Sequence, residues 1–137
     1  MGVRFTDNSV SVKNALSEAS IAYLHEAAGE IEAQTKRNTR VGSTGQTKNA
    51  WTYKVDEGDL VATVGNPLEN AIWEEFGTGE HALHGDGRKG GWYYQDEKGK
   101  WHHTYGKMPN RAFHSAFVSL KTALIRRAQE IMKGLNR

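Results

Sequence analysis

The sequence predicts an α+β fold: two long amphipathic helices packed on a small antiparallel β-sheet, with a projecting β-hairpin arm. Three observations lead there. Apolar residues recur at three- and four-residue steps near both ends of the chain, the period of a helix with one buried face. Between them, a short stretch alternates apolar and polar residues, turns at a Gly-Asp pair and resumes. The stretch from 79 to 107 has no helical period and is rich in glycine, histidine and aromatics. The 137 residues suit one domain over 1–137, with 79–107 as its loop or hairpin arm.

The first helix is read over residues 11–34. Val12, Leu16, Ala19, Tyr23, Ala27 and Ile31 fall on one face, and the Ser11 hydroxyl is placed to accept a free first-turn amide. The polar run 35–39 is expected to end it. A Gly/Ser/Thr-rich loop, Val41-Gly42-Ser43-Thr44-Gly45-Gln46-Thr47, follows. Trp51, Tyr53 and Val55 alternate with Thr52 and Lys54, as in a half-buried strand; Glu57-Gly58-Asp59 turns the chain, and residues 60–65 return. Asn66-Pro67 stops that strand, because proline has no amide for a ladder. Residues 68–76 read as a short helix ending at Gly77. In the arm, Trp92-Tyr93-Tyr94-Gln95 and the run from Lys100 to Tyr105 flank Asp96-Glu97-Lys98-Gly99, a hairpin signal. The arm is expected to be ordered only in an assembly. Residues 111–135 form the second long helix, with Phe113, Phe117, Leu120, Leu124, Ala128, Ile131 and Leu135 as its stripe.

Composition narrows the function. A hydrophobic fraction of 37% is low for a globular domain and suits a subunit that buries surface against neighbours. The net charge of +2 is too small to argue for nucleic acid. With no cysteine there is no disulfide framework and no thiolate metal site. Residues 1–7 lack the apolar run of a secretion signal, and no stretch approaches the roughly 20 apolar residues of a membrane span, so no membrane partner is expected.

Several motifs invite chemistry and lose it on spacing. Gly77-Thr78-Gly79-Glu80-His81-Ala82 fits G-x-G-x-x-A, but a helix precedes it where dinucleotide binding needs a strand, and no helix is expected after it. Lys48 does not directly follow Gly45, so the loop at 42–48 is not a phosphate loop. Glu74 and Glu75 are neighbours on a helix and diverge by about 100°, so they cannot face one substrate; one is expected to be exposed and the other paired with a basic group such as Arg111. His81, His84, His102, His103 and His114, with Asp86, Asp96 and Glu74, could be drawn as a metal-dependent nuclease-like site. Against it, no pair has a helical HExxH spacing, and adjacent histidines on a strand face opposite ways. Trp92, Tyr93, Tyr94, Trp101 and Tyr105 interleave with Arg88, Lys89, Lys98 and Lys100. That pattern fits a base-stacking platform of a small nucleic-acid-binding module, or a face that packs on another protein subunit. The weak charge favours protein.

The most specific run is Ala71-Ile72-Trp73-Glu74-Glu75-Phe76-Gly77-Thr78-Gly79, answered by Pro109-Asn110-Arg111-Ala112-Phe113. Together with the first helix, the turn in Thr44-Gly45-Gln46-Thr47-Lys48-Asn49-Ala50 and the Gly58-Asp59 hairpin, it resembles the phage tail-component family named after gene product 10 of a lambdoid phage. The chain departs from the family pattern in having Ala112 and Ser115 where prolines are common, and in its longer arm. The resemblance implies a non-enzymatic structural protein of the neck or tail, serving head–tail joining or tail completion. It implies a homo-oligomeric ring, six-fold, that meets other neck proteins and the tail-tube protein. Genomic DNA would pass through the lumen without sequence reading. The implied location is the virion, and the host cytoplasm during assembly. No catalytic residue, cofactor or metal is implied. Trp73, Glu75, Phe76, Gly77, Thr78, Gly79, Pro109, Arg111 and Phe113 form the expected assembly motif, with Glu75, Phe76 and Arg111 tying the short helix to the last one. The arm aromatics Trp92, Tyr93, Tyr94, Trp101 and Tyr105 are the expected contacts.

Overall fold

The computed structural model describes residues 9–41 and 45–135, with side chains from Lys13 onward. The chain start at 1–7, the side chain of Val12 and the Gly42-Ser43-Thr44 part of the loop fall outside it. The fold is α+β: two long helices and two separate two-stranded antiparallel sheets. The order is α1 (Ser9–Asn38), α2 (Gln46–Asn49), β1 (Thr52–Asp56), β2 (Val61–Gly65), α3 (Glu69–Phe76), a 3-10 turn (Gly79–His81), β3 (Trp92–Gln95), β4 (Trp101–Thr104) and α4 (Ala112–Leu135).

Helix α1 is longer than its apolar pattern at both ends. It already includes Ser9, so Ser11 lies inside the helix, and the side chain expected to cap it falls outside those described. At the other end it runs through the polar segment to Asn38, because Thr35 and Thr39 are buried rather than solvated. Each threonine hydroxyl donates to the carbonyl one turn back, Thr35 to Ile31 at 2.7 Å and Thr39 to Thr35 at 2.6 Å. Thr39 Oγ1 also accepts the indole N–H of Trp51 at 3.0 Å. A buried hydroxyl costs little once bonded, and a small β-branched side chain packs well in a helix contact.

α1 is the central element. It touches both strands of the first hairpin and also α4, whereas α4 and those strands scarcely meet. Tyr53 and Val55 of β1 are the half-buried positions, and Tyr53 meets the His25 ring edge-on. α4 runs antiparallel to α1: Asn38 donates to the Ala112 carbonyl, and the Tyr23 hydroxyl donates to the Leu124 carbonyl at 2.7 Å. Burial, together with the carboxylates of Glu26 and Glu30, raises the Tyr23 pKa and keeps that donor protonated.

The contact between the long helices is made of small side chains. Ala28, Ala112 and Ala116 are buried together with Thr35 and Leu124. The stripe read from the sequence holds at Leu124, which is buried, and at Phe113, Leu120, Ala128 and Ile131, which are half-buried, but not throughout. Phe117 and Leu135 are exposed, Leu16 is exposed on α1, and the alanines one residue or one turn away face the contact. Small residues let two backbones approach closely, and the larger neighbours are turned outward.

Because Ala116 is fully buried, Ala116→Leu is expected to overpack the contact and lower the unfolding free energy by about 1–3 kcal/mol. Arg126→Ala, exposed on the same helix, should change it by about 0.5 kcal/mol or less. Denaturant unfolding of both variants measures the difference.

Candidate functional site

The two motifs of the sequence meet at one corner, where α3 abuts the start of α4. Glu75 is the joint. It is buried on α3, and its two carboxylate oxygens accept the backbone N–H groups of Phe113 at 3.0 Å and His114 at 2.9 Å. Those are first-turn amides of α4 with no partner inside the helix. A carboxylate from a distant element thus does the work of an N-cap side chain, and its charge suits the positive end of the helix dipole.

Arg111 sits at the same end but contributes differently. Its φ of 55° is left-handed, and its carbonyl accepts the Ser115 N–H at 2.9 Å, which opens the helix. Its Nε lies 4.0 Å from Glu75 and has no hydrogen-bond acceptor among the described residues. Phe113 stacks on Trp51, with ring centres 5.9 Å apart and planes 11° from parallel.

Glu74, the neighbouring acid, is paired as well, not exposed. Its carboxylate takes Arg40 at 3.0 Å and the Lys107 ammonium, and its backbone carbonyl accepts Asn110 N–H at 2.6 Å. Arg40 donates further to the Met108 carbonyl at 2.6 Å. The end of α1, α3 and the return from the arm therefore converge on one side chain. Arg40 and Asn110 carried no signal in the sequence, since each is a lone polar residue in a loop.

The arm joins this corner largely through backbone. Thr78 N–H donates to the Lys107 carbonyl and Glu80 N–H to the Tyr105 carbonyl, while Thr78 Oγ1 accepts Lys107 N–H. Gly79 and Gly106 lie back to back, both at positive φ. A Cβ on Gly79 would collide with the Tyr105 carbonyl, and one on Gly106 with the Thr78 carbonyl. Gly77 caps α3, its N–H donating to the Trp73 carbonyl at 2.8 Å, and Pro109 passes beside it. The arm folds as a hairpin, and its root is tight where the glycines suggested slack.

Phe76 lines a hollow beside the joint with Trp51, Glu75 and Phe113, and Trp73 lies three residues before it on the same helix. Both are exposed and, with Trp92, Ala82 and His84, line a groove between α3 and the arm. The strand register sorts the arm aromatics by face. Tyr93 pairs with His103 and Tyr94 with His102. Tyr93, Trp101 and Tyr105 share an outward face and are 72%, 64% and 52% exposed. His103 lies between Tyr93 and Tyr105, edge-on to each. On the other face Trp92 turns toward the groove under Arg88, and Tyr94 stacks on His102.

The histidines are dispersed by the same register. His102 bonds Asp96 at 2.8 Å, His103 sits in the aromatic cluster, and His114 lies on α4. Among the described residues no three His, Asp or Glu side chains gather to hold a metal ion. Gly77 to Ala82 follows a helix and enters a 3-10 turn, not the strand–turn–helix of a dinucleotide site. Among the described residues no helix is long and apolar enough to cross a membrane.

Residues 4–77 match the family described as "Bacteriophage HK97-gp10, putative tail-component". The match runs from before α1 to the glycine that caps α3, so the arm and α4 lie beyond it. No curated protein and no solved structure matches the chain.

Two outcomes test this geometry. Glu75→Ala strands two helix amides and is expected to lower the unfolding free energy by about 2–3 kcal/mol. Glu74→Ala, whose ion-pair partners are solvent-facing, should lose about 1 kcal/mol or less. In the arm, the His102 ring and the Lys100 and Lys98 amides lower the Asp96 pKa below 3.8. A depressed carboxylate pKa adds stability above its unfolded value and loses it as pH falls through the folded value. The hairpin should hold at neutral pH and loosen only in acid below that range. Amide NMR shifts of Lys98 and Lys100, followed with pH in the wild type and in Asp96→Asn, report it.

Proposed function

The chain belongs to the HK97-gp10-like family of phage tail components, and from that membership we propose that it is a structural subunit of a virion ring at the head–tail junction or the top of the tail tube. The supporting observation is surface. Among the described residues the exposed large hydrophobic side chains, Tyr93, Trp101, Tyr105, Trp73, Phe117 and Ile125 among them, outnumber the buried apolar ones, as expected of a subunit that covers surface against neighbours. A closed ring asks each subunit for two different contact faces. In this reading the outward face of the arm, with Tyr93, Trp101 and Tyr105, is one of them. Large aromatics held by their neighbours bury much area with little loss of freedom.

Under the same proposal the ring is six-fold, meets other neck proteins and the tail-tube protein, and lets DNA pass without reading it. It works in the virion after assembly in the host cytoplasm, and it catalyses nothing. The buried acids support this last point, since both carboxylates of the corner are committed to helix amides and cations.

Replacing Tyr93, Trp101 and Tyr105 together by alanine is expected to leave the melting temperature near wild type and to abolish head–tail joining. Micrographs of infected lysates should then show filled heads apart from tails. Normal virions from that variant would contradict the assigned role of the arm.

A further inference from the structure

Helix α4 carries a second apolar line that none of the described residues covers. Val118, Ile125 and Met132 are each about half exposed or more, at 59%, 49% and 50%. They are spaced by seven residues, so they form one line along the helix, about 21 Å long. Phe117 flanks it, with Lys121 over its ring at 5.9 Å. Beside the line runs a groove formed by Tyr23 of α1 with Ile125, Ala128, Gln129, Met132 and Lys133 of α4.

The line is symmetric about Ile125, and its charges select one pairing. We propose that a second copy of this chain docks on this face, with the two α4 helices antiparallel and the two-fold axis at Ile125. In that register Val118 meets Met132 of the second copy, Lys121 meets Gln129, and Phe117 meets Lys133. No cation faces a cation, and the Lys133 ammonium finds an aromatic face. A parallel two-fold would instead stack Lys121 on Lys121 and Lys133 on Lys133, which repel. The groove beside Met132 receives Val118 of the other copy as a knob. An isologous contact of this kind uses one patch twice, unlike the ring contacts proposed above, which use two different ones.

The isolated chain tests it. Its mass by light scattering should be that of a dimer, and Ile125→Glu should halve that mass while leaving the helical circular dichroism unchanged. The chain has no cysteine, so engineered disulfides report the register directly. On mild oxidation Ile125→Cys should form a covalent dimer by itself. Val118→Cys should do so only when mixed with Met132→Cys. A mass that Ile125→Glu leaves unchanged overturns the proposal, and so does Val118→Cys cross-linking with itself. The arm variants report on ring assembly separately, since they lie on another face.

Discussion

The structure depends on one carboxylate. Glu75 must reach two amides at the start of α4, and this fixes α3 against α4. Phe113 carries one of those amides and also stacks on Trp51, which in turn bonds Thr39 of α1. A single short helix therefore sets the register between the two long ones. Glu74, next in line, does the same for the loop strands that enter and leave the arm. The acidic pair that suggests catalysis in a sequence is here a double fastening, each member aimed at a different element because a helix turns about 100° per residue.

This economy explains why so small a core suffices. The buried apolar side chains of the described residues are mostly alanines, with Trp51 and Leu124 as the large ones, and many other large side chains are exposed. Alanine contacts bring backbones close but bury little area each, so polar anchors such as Trp51 to Thr39 and Tyr23 to Leu124 hold the orientation. A chain built this way keeps its large apolar residues for surfaces that other molecules can cover.

Much of the fold was legible in the sequence. The hairpins, α3 and α4 lie within a residue or so of their patterns, because alternation and helical period report directly on burial. The end of α1 was not, since Thr35 and Thr39 look solvated until the carbonyls beneath them and the indole above are in place. The helix stripe held at Leu124 and its half-buried neighbours but lost Phe117 and Leu135, because a period identifies an apolar side but not which apolar residues are small enough to face a close neighbour. At the corner, the residue types were legible and the partnership was not. Nothing in the sequence says that Glu75 answers two amides 38 and 39 residues away, or that Arg40 belongs with Glu74.

The glycine contact at the arm root has a mechanical consequence. Gly79 and Gly106 press backbone on backbone, with no side chain between them to bend or slide. The arm therefore cannot swing independently of the body. A pull applied at its aromatic tip travels along two hydrogen-bonded strands to Lys107, then to Glu74, and so to the neighbouring Glu75 and the first turn of α4. The arm is a lever fixed to the longest struts of the molecule, and strain taken up at a neighbouring subunit would be felt at the far end of the fold.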